Sequence, residues 1–83
     1  MAVRGKFTVY GRSYCHLCDD MVAELKVLRS KYAFELEVID IDADPQLAAR
    51  YDQWVPVLTA DGVELCHYHL DHDRVGEYLE NLL

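Results

Sequence analysis

The sequence predicts an α/β fold with the element order β-α-β-α-β-β-α: a four-stranded mixed sheet with helices on both faces. Three observations carry this expectation. Short apolar runs alternate with polar residues, as in half-buried strands. Between them, apolar residues recur three or four positions apart, as on one face of a helix. An Asp61-Gly62 pair separates two β-type runs and reads as a hairpin turn. The 83 residues suit a single domain, 1–83.

The elements follow in order. Lys6–Arg12 alternates Phe7 and Val9 against Thr8 and Tyr10 and stops at Gly11, which predicts a short strand. From His16 to Tyr32 the period changes, and Leu17, Met21, Leu25, Leu28 and Tyr32 fall on one helical face. Asp19 and Asp20 lie in its early turns and Lys26, Arg29 and Lys31 in its later ones, as the helix dipole favours. Phe34–Ile41 alternates again and then turns apolar, predicting a second strand. Asp44 before Pro45 signals a helix start, and Leu47, Ala48 and Tyr51 give that helix its buried face. Val57–Thr59 and Val63–His67 flank the Asp61-Gly62 turn. Asp71–Leu83 carries Val75, Tyr78, Leu79 and Leu82 at helical spacing, with Asp71 or Asp73 as the cap. The first β-α-β unit calls for a parallel, right-handed crossover, and the hairpin adds an antiparallel pair.

Composition narrows the function. A net charge of −7, with Arg4, Lys6 and Arg12 forming no polybasic run, disfavours nucleic acid and anionic membrane as partners. Neither a signal peptide nor a spanning segment is expected, so a cytoplasmic location is the default. Thiols stay reduced there, and a close cysteine pair is then catalytic or metal-binding rather than a structural staple.

Cys15 and Cys18 form such a pair, at the turn where the first strand meets the first helix. Sites in open α/β sheets gather at the carboxyl ends of the strands. At a helix start, free N–H groups and the positive dipole end stabilise a thiolate, lowering a thiol pKa from ~8.5 to roughly 3.5–7.5. Cys18, three residues on, shares the helical face and can resolve a mixed disulfide on Cys15. Cys15 is therefore the expected nucleophile. His16 adds positive charge if protonated, whereas Asp19 and Asp20 act in the opposite direction.

"TVYGRSYCHLCDDM" resembles the active-site segment of glutaredoxins, and "IDADPQLAARYDQWVPVL" is similar to the second half of thioredoxin-fold proteins. The resemblance covers nearly the whole chain and identifies it as a member of the bacterial-type, small glutaredoxin-like proteins. It implies thiol–disulfide exchange with Cys15 and Cys18 as the catalytic pair. Pro56 matches the family's cis-proline, and Val55 the residue whose backbone pairs with a bound thiol peptide. Arg12 matches the basic residue that meets a glutathione carboxylate. Asp71 and Asp73 fall at the acidic positions before the last helix, and Tyr14 and Asp71 join Arg12, Val55 and Pro56 as candidate substrate contacts. The chain departs from the pattern in two places: His16-Leu17 stands between the cysteines, and "HYHLDHDRV" lacks the glycine turn of glutathione binders.

The expected partners are protein disulfides or glutathione mixed disulfides, acted on by a monomer. No cofactor is expected, and glutathione is at most a co-substrate. Cys66 reads as a packed or edge residue of the hairpin, and Trp54 as a lid or a half-buried hydrophobe. His67, His69 and His72 read as surface residues, because the paired ligand sets of structural zinc are missing. The alternative is a zinc- or iron–sulfur-carrying, or partner-docking, module with little turnover.

Overall fold

A computed structural model describes residues 5–81. Arg4 of the basic set and Leu82 of the last helix's apolar face lie outside the described residues. The elements are β1 (Lys6–Gly11), α1 (His16–Leu28), β2 (Glu35–Asp40), a 3-10 turn (Ile41–Ala43), α2 (Pro45–Tyr51), β3 (Val57–Ala60), β4 (Val63–His67) and α3 (His72–Asn81). The four-stranded sheet has the order β2-β1-β3-β4, with β1 parallel to β2 and antiparallel to β3. β3 and β4 pair antiparallel through a hairpin whose Asp61 and Gly62 both have positive φ, as a type I′ turn requires.

The alternation of β1 decides the layers. Phe7 and Val9 point to one face, where they meet Leu58 and Ala60 of β3, Met21 and Leu25 of α1, and Val75 and Leu79 of α3. Tyr10 points to the other face, against Ile41, Val57 and the Tyr51 of α2. Helices thus cover both faces. Phe7 is fully buried, and its ring meets the edge of Phe34 at 4.8 Å between centroids. β2 is an edge strand, mostly exposed, with Glu35 and Glu37 on its rim to discourage further pairing.

Local hydrogen bonds shift two boundaries from the sequence expectation and set two others where it placed them. α1 ends at Leu28 rather than Tyr32, because Ser30 donates its hydroxyl to the Val27 carbonyl at 2.7 Å and the chain tightens into a turn. Tyr32 still packs against the core from that turn. β2 ends at Asp40, whose carboxylate accepts the Asp42 N–H at 2.9 Å and starts the 3-10 turn, so Ile41 is buried from a turn and not from a strand. Asp44 caps α2 by accepting the Gln46 N–H, with Pro45 at the first turn. Asp71, rather than Asp73, caps α3, accepting the Arg74 N–H at 3.1 Å.

Tyr78 ties α3 to the hairpin turn by donating to Asp61 Oδ2 at 2.5 Å. Partial burial, and then Asp61, push its pKa up from 10.0 to about 12. A raised folded-state pKa favours the neutral phenol, so its stabilisation is complete below pH ~10 and is lost as pH rises through about 12. Denaturant titrations at pH 8 to 12 should show an alkaline loss of stability that Tyr78→Phe reduces. An identical pH profile in both proteins would contradict this account.

Candidate active site

The parallel and antiparallel pairings bring several segments to one end of the sheet. Tyr10 of β1 pairs with Val57 of β3, and Val57 with His67 of β4. The chain leaving β1 toward Cys15, the chain entering β3 at Val55-Pro56, and the chain leaving β4 at Tyr68 therefore meet there. Tyr68 completes the junction by donating its N–H to the Pro56 carbonyl at 2.9 Å.

Cys15 is the N-cap of α1, in extended conformation, with its Sγ accepting the Cys18 N–H at 3.1 Å. Tyr14, at φ 59 and fully exposed, makes the left-handed turn that swings the chain into this cap. The sulfurs of Cys15 and Cys18 are at disulfide distance, with Cα atoms 5.2 Å apart. The two positions differ in access: Cys15 is partly exposed, whereas Cys18 is 5% exposed. A thiolate at Cys15 would keep the N–H bond and face the positive end of a 13-residue helix. A group of this kind is suited to nucleophilic attack from solvent, with its partner held one turn deeper.

Gly11 makes room for that partner. A methyl group on its backbone would lie 2.9 Å from Cys18 Sγ and 3.2 Å from Cys18 Cβ. The sequence marks Gly11 only as a strand end; its contact with Cys18 exists because α1 folds back over β1.

The Val55–Pro56 peptide is cis, as the resemblance implies, with Pro56 buried and Val55 partly buried. Beside it stands an aromatic group that sequence reading did not assemble. Trp54, 46% exposed, meets the His67 ring edge-on at 5.3 Å and lies 6.1 Å from the Tyr68 ring. Tyr68 anchors the group by donating its hydroxyl to the Gln53 carbonyl at 2.6 Å. Trp54 is thus a half-exposed neighbour of the cis peptide.

Arg12 is engaged by the chain's own acids. Its Nη2 forms ion pairs with Asp42 Oδ1 and Asp52 Oδ1, each at 3.0 Å. Asp52 first, against a smaller opposing effect of desolvation and with support from Asp42, holds the guanidinium pKa above its ordinary value. Its Nε is buried and has no hydrogen-bond partner among the described residues. Asp71 is occupied as the cap of α3, and its own N–H donates to Cys66 Sγ at 3.5 Å. Cys66 is 8% exposed, and burial pushes its thiol pKa up, which leaves it a packing residue and a poor nucleophile.

The histidines are dispersed. His67 faces Glu64 at 3.2 Å and His72 faces Glu24 at 3.6 Å. Among the described residues no group of three or more His, Cys, Asp or Glu side chains is arranged to hold a metal ion. No described helix is long and apolar enough to cross a membrane.

Residues 6–80 match the glutaredoxin-like domain family (DUF836). The solution structure of protein Ne2328 from Nitrosomonas europaea is 51% identical, with a TM-score of 0.85 and 95% of each chain covered. An X-ray structure of a protein from X. campestris is 36% identical, with a TM-score of 0.73, covering 90% of this chain and 96% of that one. Thioredoxin 1 from Thermosipho africanus shares the fold at 19% identity, with a TM-score of 0.62 over 92% of this chain and 96% of its own. A cysteine pair at a helix N-cap, a cis-proline at the same end of the sheet and this sheet order are thus found in a chain that belongs to the glutaredoxin-like domain family, within the thioredoxin fold.

Proposed function

We propose that this protein is a thiol–disulfide oxidoreductase that cycles Cys15 and Cys18 between dithiol and disulfide. The observation that carries the reading is the Cys15 Sγ serving as N-cap of α1 while lying at disulfide distance from a buried Cys18.

The cycle balances without a cofactor. In the reduced protein, the Cys15 thiolate attacks one sulfur of a substrate disulfide. The substrate S–S bond breaks, a Cys15–substrate disulfide forms, and the departing thiolate takes up a proton. Cys18 then loses its proton and attacks Cys15 Sγ, which releases the second substrate thiol and closes the Cys15–Cys18 disulfide. Two electrons pass from protein to substrate, with one proton from the Cys18 thiol and one from water. An external dithiol, or two monothiols, restores the reduced state by the same exchange in reverse.

Val55 beside the cis peptide offers backbone to an extended substrate strand, in the manner of strand addition. The exposed rings of Tyr14, which precedes Cys15, and Trp54, which precedes the Val55–Pro56 peptide, supply apolar contact at this end of the sheet. The substrates are protein disulfides or glutathione mixed disulfides, and the proposed setting is the cytoplasm, where such a dithiol is kept reduced.

Ultraviolet titration of the reduced protein tests the central requirement. The thiolate absorbance of Cys15 should rise with a midpoint below about 7.5, the upper bound for cysteines activated at helix N-termini. The step should vanish in Cys15→Ser and persist in Cys66→Ser. A midpoint near the free-cysteine value of ~8.5 would remove the basis of the proposal.

A further inference from the structure

Arg12 lies between two cavities that open at the active-site end. One, of about 250 Å³, reaches Cys18 and is lined by Gly11, Ser13, Asp19 and Asp40 as well as Arg12. The other, of about 560 Å³, runs from Arg12 past Asp42, Asp52 and Arg50 to Trp54. The position of Arg12 would let it receive a carboxylate of a bound thiol compound. The single nitrogen Nη2 already lies between two carboxylates, however, so a substrate carboxylate arriving there would meet Asp42 and Asp52 as well as the cation. The charges lining the two cavities are Asp19, Asp40, Asp42 and Asp52 against Arg12 and Arg50, an excess of acid. The whole chain adds to it, with a net charge of −7.

We infer that Asp42 and Asp52 determine the specificity of the site: they offset the charge of Arg12, set the site against anionic disulfides such as oxidised glutathione, and favour disulfides flanked by cationic groups, as in a basic stretch of polypeptide. The inference rests on the thiol–disulfide exchange proposed above. It follows from like-charge repulsion in a partly enclosed site, which lowers the local concentration of an anionic substrate and raises that of a cationic one. Trp54, which precedes the cis peptide, and the exposed Tyr14, which precedes Cys15, suit the side chains of a polypeptide better than the small polar body of glutathione.

Three disulfides of different charge test this: oxidised glutathione (anionic), bis(2-hydroxyethyl) disulfide (neutral) and cystamine (dicationic). The full chain is reduced, freed of reductant and mixed with each oxidant. Oxidation is followed by quenching with an alkylating agent and mass spectrometry. In each case the protein dithiol loses two electrons and two protons, and the oxidant becomes two thiols. The rates are compared between wild type and Asp42→Asn/Asp52→Asn, with the neutral oxidant setting the common factor for each protein. Relative to that factor, the double variant should react about tenfold faster with oxidised glutathione and several-fold slower with cystamine, the scale on which focused fields alter encounter rates. Variant-to-wild-type ratios equal for all three oxidants would overturn the inference, since a general loss of fold or of Cys15 reactivity moves them together.

Wild type alone supplies a second measurement, independent of how the variant folds. Rising ionic strength should speed oxidation by glutathione and slow oxidation by cystamine. The same salt response for both would likewise overturn the inference. A wild type that none of the three oxidises any faster than Cys15→Ser would overturn the exchange reading itself, and this inference with it. A reactive wild type without charge discrimination overturns this inference alone.

Discussion

Replacing Cys15 with Ser is expected to reduce the proposed disulfide reductase activity to the uncatalysed background, a loss of roughly a thousandfold or more, as in enzymes deprived of their nucleophile. The hydroxyl of Ser keeps the hydrogen bond to the Cys18 N–H, and Ser is a good N-cap, so the fold and α1 should survive. What disappears is the only partly exposed sulfur of the described cysteines: Cys18 and Cys66 are both buried. Cys18→Ser has a different expected outcome. The first step remains, but a hydroxyl does not displace a thiol at neutral pH, so the substrate stays attached to Cys15. Incubation with a disulfide substrate followed by intact mass measurement should show one added substrate half in Cys18→Ser and none in Cys15→Ser. Equal, slight losses in both variants would contradict the division of labour derived from the cap and the burial.

Gly11→Ala carries the second large effect. The added methyl would meet Cys18 Sγ at 2.9 Å and its Cβ at 3.2 Å. In the oxidised protein Sγ is bonded to Cys15 and cannot rotate away, so β1 or α1 must shift. Overpacking of this kind destabilises by about 1–3 kcal/mol. In the reduced protein Sγ is free to take another rotamer, and the penalty is smaller. The variant should therefore lose more thermal stability oxidised than reduced. Its dithiol–disulfide equilibrium against a glutathione buffer should move toward the dithiol by about tenfold, the change that ~1.4 kcal/mol produces. Melting curves of both redox forms, together with the buffer titration, check this. Equal losses in the two forms would mean that the close approach of Gly11 is a matter of general packing and not of the cysteine pair.

Much of the fold was legible in the chain because its signals are local. Periods of two and of three to four separated strands from helices, and Asp44-Pro45 and Asp61-Gly62 marked a helix start and a hairpin turn. The departures were also local in cause. Ser30 and Asp40 divert hydrogen bonds from α1 and β2, and a hydrophobic pattern that runs on through Tyr32 and Ile41 does not reveal such competition. Arg12 shows the same limit at the site. Its place before the cysteines was readable, but its partners Asp42 and Asp52 are 30 and 40 residues away and become neighbours only when α2 packs beside β1.

The sequence by itself determined the order of the elements, the cysteine pair at a strand-to-helix turn and the Val55-Pro56 segment that the family resemblance picks out. Those features depend on residue type and spacing over one or two turns of chain. The tertiary structure alone decided that Gly11 lies under Cys18, that Trp54, His67 and Tyr68 form one aromatic group, and that Arg12 is paired with two carboxylates. The physical reason is that close approach and charge pairing depend on distances through space, and the parallel crossover and the hairpin set those distances by joining segments far apart in the chain.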